Sequence, residues 1–441
     1  MEQSSLRELG ADLLEGGQTE RALGVFAEAV RRQPADHRSR MAAGRCFQSL
    51  GEKERAVTVL HACAEGLLRR DYLLSAIAAC KLALVINPAE RRIREALLRV
   101  HARAARATQG RAAVPPPLPP ESLYDGKAQG DLMTLSGEEL LHQALDVLAA
   151  PDPGGAADAG ARPPLPLFAD LTRDAFVELV SLMGYRSVQA DQPLSREGEG
   201  GDALYVIVAG KAEVSRRAEG KAEKTLGFLG GGSIFGEMSL LTGAPATATV
   251  TAQVDTELFE IRREHLNQLA TAHPNVHQAL AEFAQLRMAR NLMTGSPLFL
   301  LLPEHERFEL LRRFSFRALK AGEPALTEGQ LSPGLFLVLA GELMVRKVDP
   351  AGGEVSLGVL REGDIAGEIS LLTGLKATAT VMATRKSATA FLPRESFSEL
   401  LTAFPNTKGY LERLSEERLR QIGEALRPAE IIDADELVEP G

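Results

Sequence analysis

One long segment of this 441-residue chain occurs twice, because residues 166–275 match residues 297–406 in one register and without a gap. The matching runs are 204–210 with 335–341, 236–243 with 367–374, and 246–250 with 377–381. The last of these reads Ala-Thr-Ala-Thr-Val in both copies. A single register kept over so many positions predicts two tandem copies of one domain.

Within each copy, short β-branched or apolar runs alternate with glycine turns, a pattern typical of an antiparallel β-roll or barrel. Helical patterns interrupt the runs at equivalent places in the two copies. They predict a lead helix near 172–183 and 303–314, a short helix at 236–242 and 367–373, and a closing helix near 275–293 and 406–426. We therefore predict a multidomain α+β protein with jelly-roll-like β-roll domains at 165–294 and 295–427, followed by an acidic tail at 428–441.

The N-terminal part has a different and shorter period. The spacing of Gly10, Gly17, Ala22 and Phe26 recurs as Gly44, Gly51, Ala56 and Leu60. Small residues with this period resemble the tetratricopeptide repeat, in which paired helices approach closely. A third partial pattern begins at Ala76, too soon after Ala56 to keep the period. We expect an irregular array of about five helices over 4–106, and assign 1–106 to a tetratricopeptide-like module that binds a protein partner.

Residues 107–164 read as a linker, with proline-rich stretches at 115–120 and 151–155. Between them, Ser136-Gly-Glu-Glu139 is a capping box before apolar residues at helical spacing, which predicts a short amphipathic helix near 136–150. Two interpretations stay open. This helix either docks a partner or packs on its own domain.

Two further N-terminal patterns each have two interpretations. Cys46, Cys63 and Cys80 are evenly spaced, at half the period of the repeat. One interpretation is a metal or redox cluster, and the other is that they are small residues at helix contacts. The absence of Cys-x-x-Cys spacing favours helix contacts, and no metal is expected. Arginines at 92, 99, 103 and 106 share one helix face, which either docks on an acidic partner or on the acidic remainder of this chain, or is solvated.

Composition excludes several classes of protein. The net charge is −9, and residues 1–110 contribute +5 (18 Lys and Arg against 13 Asp and Glu), which leaves −14 for the remainder. An acidic body argues against non-specific DNA binding. Three cysteines, no run of 18 apolar residues and a polar N-terminus without leader features predict a soluble cytoplasmic protein.

The run Phe235-Gly236-Glu237-x-Ser239-Leu240, with Ala246-x-Ala-Thr-Val after it, resembles the phosphate-binding cassette of cyclic-nucleotide-binding domains. The catabolite activator protein and the regulatory subunit of cyclic-AMP-dependent protein kinase contain such domains. In this cassette a glycine at the start of a short helix lets a phosphate approach backbone N–H groups. The resemblance implies that Glu237 and Glu368 accept a hydrogen bond from a ribose 2′-OH and that Ser239 and Ser370 add donors.

The sequence departs from this family at one position in each copy. The arginine that faces the cyclic phosphate is Ala246 in the first copy and Ala377 in the second. Lys376 replaces it only if the strand bulges, because adjacent residues of a strand point to opposite faces. Thr247 and Thr378 stand where cyclic-GMP-selective relatives place a threonine near the guanine; a threonine in a strand is also common.

The candidate ligand-binding residues follow from this resemblance. They are Phe235, Gly236, Glu237, Met238, Ser239, Ala246 and Thr247 in the first copy, and Gly367, Glu368, Ile369, Ser370, Lys376, Ala377 and Thr378 in the second. No cofactor is expected, and the candidate ligand is cyclic AMP or cyclic GMP.

Enzymatic motifs such as Gly-x-Ser-x-Gly or His-Glu-x-x-His are not found, and the sequence ends too soon after the second copy for a helix-turn-helix. The linker also contains no Arg-Arg-x-Ser kinase-inhibitor sequence. We expect a non-enzymatic regulatory adaptor that senses a cyclic nucleotide or a related small anion, without DNA or membrane insertion. The alternative is a ligand-free scaffold that uses the β-rolls for docking.

Overall fold

The computed structural model describes residues 6–107, 131–152, 166–217, 223–242, 245–274, 276, 296–349 and 352–426. By its internal contacts the chain forms two compact units. The first consists of Met1–Leu240 with Ala248–Phe283, and the second of Leu241–Thr247 with Ala284–Gly441. The N-terminal helices and the strands of the first β-roll thus belong to one unit, and the second β-roll forms the other. The predicted closing helix near 275–293 and the acidic tail at 428–441 lie outside the described residues, apart from position 276.

The N-terminal region is a series of antiparallel helices in which each helix packs on the next. In the described part of this region the helices are α1 (Leu6–Glu15), α2 (Thr19–Arg32), α3 (His37–Ser49), α4 (Lys53–Arg69), α5 (Leu73–Ile86) and α6 (Arg91–Ala107). The described residues of this region form six helices, against the expected count of about five. The period of the repeat ends after α4, so it gives no register for the two helices that follow.

Residues 131–152 form what we call the strap: a 3-10 turn (Asp131–Met133), helix α7 (Gly137–Ala149) and the residues up to Asp152. Its apolar side chains Leu140, Ala144 and Leu148 recur at every fourth position, and all three are buried against α2 and α4. The Glu138 carboxylate pairs with Arg55 of α4. Of the two interpretations left open by the sequence, the helix therefore packs on its own domain.

The end of the strap is held by buried charges. Arg70 Nε donates to Asp152 Oδ2 at 2.5 Å, and the Asp152 side chain is only 2% exposed. Arg40, itself buried, donates from Nη1 to the Ala150 carbonyl at 2.8 Å. His37 Nε2 lies 3.3 Å from Asp152 Oδ2. Because buried ionic groups are costly to separate, these contacts fix the strap on α3 and α4.

Acidification is expected to destabilise this unit through His37. Burial, with a further contribution from the Arg40 guanidinium and opposed by Asp152, lowers the pKa of His37 to about 4, against about 6.5 in an unfolded chain. The unfolded chain therefore binds the proton more readily, and about 3 kcal/mol of stability is lost as the pH falls from about 6.5 to about 4.

Urea denaturation of the wild type and of His37→Gln over this pH range checks that expectation. The variant should have a shallower pH dependence, whereas His142→Gln, at a position 73% exposed, should keep the wild-type slope. Equal slopes for His37→Gln and the wild type would contradict the assignment.

Each β-roll consists of two four-stranded antiparallel sheets, and every strand of the first roll has an equivalent in the second. In the first roll the strands are β1 (Gly184–Val188), β2 (Pro193–Ser195), β3 (Ala203–Ala209), β4 (Lys211–Arg217), β5 (Glu223–Gly230), β6 (Ile234–Phe235), β7 (Thr249–Ala252) and β8 (Thr256–Arg262). In the second they are β9 (Ser315–Leu319), β10 (Pro324–Leu326), β11 (Gly334–Ala340), β12 (Leu343–Val348), β13 (Glu354–Leu360), β14 (Ile365–Ala366), β15 (Thr380–Ala383) and β16 (Ser387–Pro393). The sheet orders β1-β8-β3-β6 and β2-β7-β4-β5 recur as β9-β16-β11-β14 and β10-β15-β12-β13.

The lead helix and the short helix of each roll, and the closing helix of the second, lie where the sequence predicts them. Among its described residues each roll also has two further helices that the sequence analysis did not predict. The first roll has α8 (Pro166–Ala169), α9 (Arg173–Leu182), α10 (Glu237–Thr242) and α11 (Arg263–Ala272). The second has α12 (Pro297–Leu300), α13 (Glu304–Leu311), α14 (Glu368–Thr373), α15 (Arg394–Ala403) and the closing helix α16 (Pro405–Ala425). The predicted fold, an N-terminal helical region followed by two β-rolls with flanking helices, is confirmed.

The N-terminal helices share one apolar core with the first β-roll. On α6, the His101 ring packs on Phe176 of α9 with centroids 5.1 Å apart, and its Nε2 lies 2.8 Å from the Leu171 carbonyl oxygen. On α5, the Lys81 ammonium is largely buried and donates to the Ser181 carbonyl at 2.6 Å, in the last turn of α9. The helical region is therefore packed firmly on the first roll.

The cysteines are core residues of the N-terminal helices, and the arginine stripe pairs with acidic residues of the same helical region. All three thiols are buried, and burial raises the pKa of Cys46 and of Cys63 to about 12, so both stay protonated. No cluster of metal-ligating side chains is found among the described residues. Arg99 pairs with Glu65, and Arg103 with Asp71. The side chain of Arg106 lies outside the described part of the chain. In the described part of the chain, no helix is long and apolar enough to cross a bilayer.

Candidate functional site

A glycine directly precedes the short helix of each β-roll. Gly236 has φ +84° and Gly367 has φ +98°, a backbone conformation that side chains with a Cβ rarely adopt. A Cβ at Gly236 would lie 2.5 Å from the Ala203 carbonyl oxygen, and one at Gly367 would lie 2.6 Å from that of Gly334. Close approach of two backbone segments thus explains why the sequence has glycine at both positions.

Gly367→Ala is expected to destabilise the second β-roll by about 2 kcal/mol or more, because it adds a steric clash to an unfavourable φ. Gly374→Ala is a matched control at the other end of the same helix. Gly374 has φ +71°, but a Cβ added there would meet no atom within 4 Å, so this variant should lose only the smaller, conformational part. Chemical denaturation of the two variants measures the difference, and equal losses would contradict the clash.

The second β-roll contains a cavity of about 290 Å³ between the cradle and the closing helix. We use cradle for residues 364–370 and 377–379, most of which line one side of the cavity. Leu357 and Val359 of β13 provide an apolar wall. Arg418, Gln421 and Ile422 of α16 form the remaining side. A ligand in this cavity would therefore contact both the cradle and the closing helix.

The cavity contains a buried ion pair that the sequence analysis did not foresee. Arg418 Nη1 donates to Glu368 Oε1 at 2.6 Å and to the Ile365 carbonyl at 2.7 Å. The Glu368 side chain is 2% exposed and that of Arg418 is 21% exposed. A guanidinium therefore reaches the cradle of the second roll, although the family's arginine position is Ala377. One signal was present in the sequence: Arg287 is the equivalent of Arg418 in the register of the duplication, although it lies outside the described residues.

Among the described residues that line the cavity around Ala377, Arg418 provides the only guanidinium. Ala377 is buried, and its backbone pairs with Gln330 and Gly329 across the roll. Lys376 is exposed and does not line the cavity. Lys347 of β12 approaches from behind the cradle, where its Nζ donates to Glu328 Oε1 at 2.6 Å and to the Thr378 carbonyl at 2.8 Å.

Of the remaining candidates in the second roll, Ile369 and Thr378 line the cavity. Ser370 also lines it, but its hydroxyl is already engaged: Oγ donates to the Leu375 carbonyl at 2.5 Å and accepts from the Ser332 N–H at 3.2 Å. Because its hydroxyl already donates within the protein, Ser370 stabilises the cradle and is not a free donor.

In the first roll, the candidates whose side chains are described are buried or half-buried. Phe235 is a core residue that stacks on Tyr205 with centroids 5.0 Å apart. Glu237 and Ser239 are buried, while Ala246 and Thr247 are half-buried. The side chain of Met238 lies outside the described part of the chain. The Glu197 N–H donates to Thr249 Oγ1 at 3.1 Å, as the Glu328 N–H does to Thr380 at 3.0 Å.

The model of the cyclic nucleotide-binding domain matches residues 185–273 and 316–404, which are the two β-rolls. The chain contains two tandem cyclic nucleotide-binding domains. Their positions coincide with the cradles and strands described above, so the resemblance noted in the sequence is confirmed for both copies.

The chain is similar to regulatory subunits of cyclic-AMP-dependent protein kinase. It is 28% identical to that of Blastocladiella emersonii over 53% of this chain and 56% of that protein. It is 27% identical to the cGMP-dependent protein kinase egl-4 of Caenorhabditis elegans over 60% of this chain and 32% of that protein. The chain thus spans about half, or less, of the length of these curated relatives. A solved structure, the regulatory domain of Toxoplasma gondii PKA with cAMP, matches 57% of this chain and 92% of that chain at 24% identity and a TM-score of 0.29.

Proposed function

We propose that this chain is a non-catalytic regulatory protein whose second β-roll binds a cyclic nucleotide or a related nucleotide-like ligand. The observation that supports this is the cavity of the second roll, which is bounded both by the cradle and by the closing helix α16. Binding there changes the surroundings of Arg418, and so alters the balance between arrangements of α16.

The Glu368–Arg418 pair is central to this proposal. A hydroxyl that donates to Glu368 competes with the Arg418 guanidinium for the same carboxylate. A ligand therefore weakens the tie between cradle and closing helix while it makes new contacts with Gln421 and Ile422. The net effect on α16 depends on which set of contacts is stronger.

Isothermal titration calorimetry of the full chain with cyclic AMP, cyclic GMP, adenosine and guanosine tests the proposal. Saturable binding of at least one of these compounds at up to millimolar concentration is expected. No binding of any of them would refute the ligand-binding function.

Thr378→Phe locates the site, because a phenyl ring at this position fills the cavity of the second roll. Thr247→Phe is the matched control at the equivalent position of the first roll. Binding that is lost only in Thr378→Phe, with the melting temperatures of both variants close to the wild-type value, assigns the ligand to the second roll. Thr378→Ala, compared for cyclic AMP and cyclic GMP, tests the proposed preference of this threonine for guanine.

The second candidate function is a ligand-free scaffold. It is favoured by the replacement of the family's arginine by Ala246 and Ala377, and by the Glu368–Arg418 contact, in which the protein satisfies its own buried carboxylate. The calorimetry above separates the two candidates.

The proposed output is binding of a protein partner, with the N-terminal helices as the proposed tetratricopeptide-like surface. Two observations limit which faces of these helices are available to such a partner. The strap covers α2 and α4, and α5 and α6 pack on the first β-roll.

The adjacent arginines at 216 and 217 are unsuitable as a kinase-inhibitor sequence. They lie within β4, and Arg217 pairs with Glu223 at 3.5 Å.

A further inference from the structure

We infer that the ligand of the second β-roll is uncharged: a nucleoside or another neutral compound with a planar base and hydroxyl groups, rather than a cyclic phosphate. This inference rests on the proposed function, since it specifies the ligand of the same cavity. It follows from the charges that line the cavity and from the groups that already bind each of them.

The described residues that line the cavity include two carboxylates and one cation, namely Asp364, Glu368 and Arg418. The cation is already engaged, because Arg418 Nη1 binds both Glu368 and the Ile365 carbonyl. Asp364 accepts the N–H of Arg361 at 2.8 Å through Oδ2, and it adds a negative charge at the cavity. The cavity therefore has a net negative charge before any ligand enters.

The next cation behind the cradle is Lys347, and it is also paired. Its Nζ binds Glu328 at 2.6 Å and the Thr378 carbonyl at 2.8 Å. Arg418 and Lys347 thus each have a carboxylate partner within hydrogen-bonding distance. A phosphate that bound either of these cations would take it from its carboxylate and leave that carboxylate unpaired.

The position that faces the phosphate in cyclic-nucleotide-binding relatives offers only methyl groups here. Ala377 and Ala379 are buried and line the cavity. An ionised group bound here lacks the guanidinium that pairs with it in those relatives, and burial of a charge without an ionic partner is unfavourable. A neutral compound avoids this cost and still finds polar partners, because Glu368 accepts from a hydroxyl and Gln421 and Thr378 offer both donors and acceptors. The apolar wall formed by Leu357, Val359 and Ile422 suits a planar base.

Calorimetry of the wild-type chain with two matched pairs, adenosine against cyclic AMP and guanosine against cyclic GMP, tests the inference. We expect the nucleoside of at least one pair to bind about tenfold more tightly, or better, than its cyclic phosphate. Equal or tighter binding of the cyclic phosphates in both pairs would overturn the inference and leave the proposed function intact. No binding of any of the four compounds would instead refute the proposed function, and the inference with it.

Ala377→Arg provides a second test, because it restores a cation where the family has one. It should raise the affinity for the cyclic phosphates by about tenfold or more and leave nucleoside affinity nearly unchanged. Lys386→Arg, at an exposed position between β15 and β16, is the control and should change neither. A variant that gains no affinity for cyclic phosphates while it keeps the wild-type melting temperature and nucleoside affinity would contradict the role assigned to position 377. Should Ala377→Arg fail to fold, the wild-type comparison decides the question by itself.

Discussion

Arg418→Met is expected to destabilise the second β-roll by about 3 kcal/mol, because it leaves a buried carboxylate without its ionic partner. Glu368 lies at 1% exposure between the cradle and α16, and Arg418 Nη1 is 2.6 Å from its Oε1. Methionine keeps most of the apolar contact of the arginine stem, so the loss measures chiefly the uncompensated charge.

The control is the double variant Glu368→Gln with Arg418→Met. It removes the charge together with its partner, and most of the lost stability should return, because a neutral amide is far less costly to bury than an unpaired carboxylate. The chain contains no tryptophan, so native-state hydrogen exchange of β11 and β16 is a suitable measurement. A loss below about 1 kcal/mol in the single variant would mean that the pair behaves as a solvated surface contact.

Phe168→Ala is expected to destabilise the N-terminal helices and the first β-roll together, by about 3–5 kcal/mol. Phe168 is 1% exposed and packs edge-on against Phe176 and Phe259, with centroids 6.0 and 6.4 Å away. It belongs to the same apolar core as residues of α4, α5 and α6. Loss of its ring therefore weakens both elements of the first unit.

The matched control is Phe299→Ala, at the equivalent position of the second β-roll, where the phenylalanine is also fully buried. This substitution should cost a similar free energy but leave exchange in α5 and α6 unchanged, because those helices belong to the other unit. Hydrogen exchange followed by peptide mass spectrometry distinguishes the two patterns. Unchanged protection of α5 and α6 in Phe168→Ala would show that the helices fold independently of the first roll.

Much of the fold could be predicted because its signals are local or repeated. The left-handed glycines at 236 and 367, the alternation of apolar runs and glycine turns, and the constant register of the duplication together locate both rolls. Helix α9 begins after Thr172, whose side chain accepts from the Ala175 N–H, and such a cap is readable in sequence.

Contacts between distant residues could not be predicted in the same way. Arg418 reaches Glu368, and Arg70 reaches Asp152, across long stretches of intervening chain. A sequence shows that α7 has an apolar face, but not whether this face packs on its own chain or on a partner. Because the spacing becomes irregular after Ala56, the sixth helix of the N-terminal region could not be predicted either.

The most direct test of the ligand site is hydrogen exchange of the full chain with and without a saturating concentration of the tightest-binding compound from the calorimetry. We expect altered exchange in residues 364–379 and 405–425, and no such change in Thr378→Phe. A compound that binds the wild type while exchange in both segments stays the same would contradict a ligand site between the cradle and the closing helix.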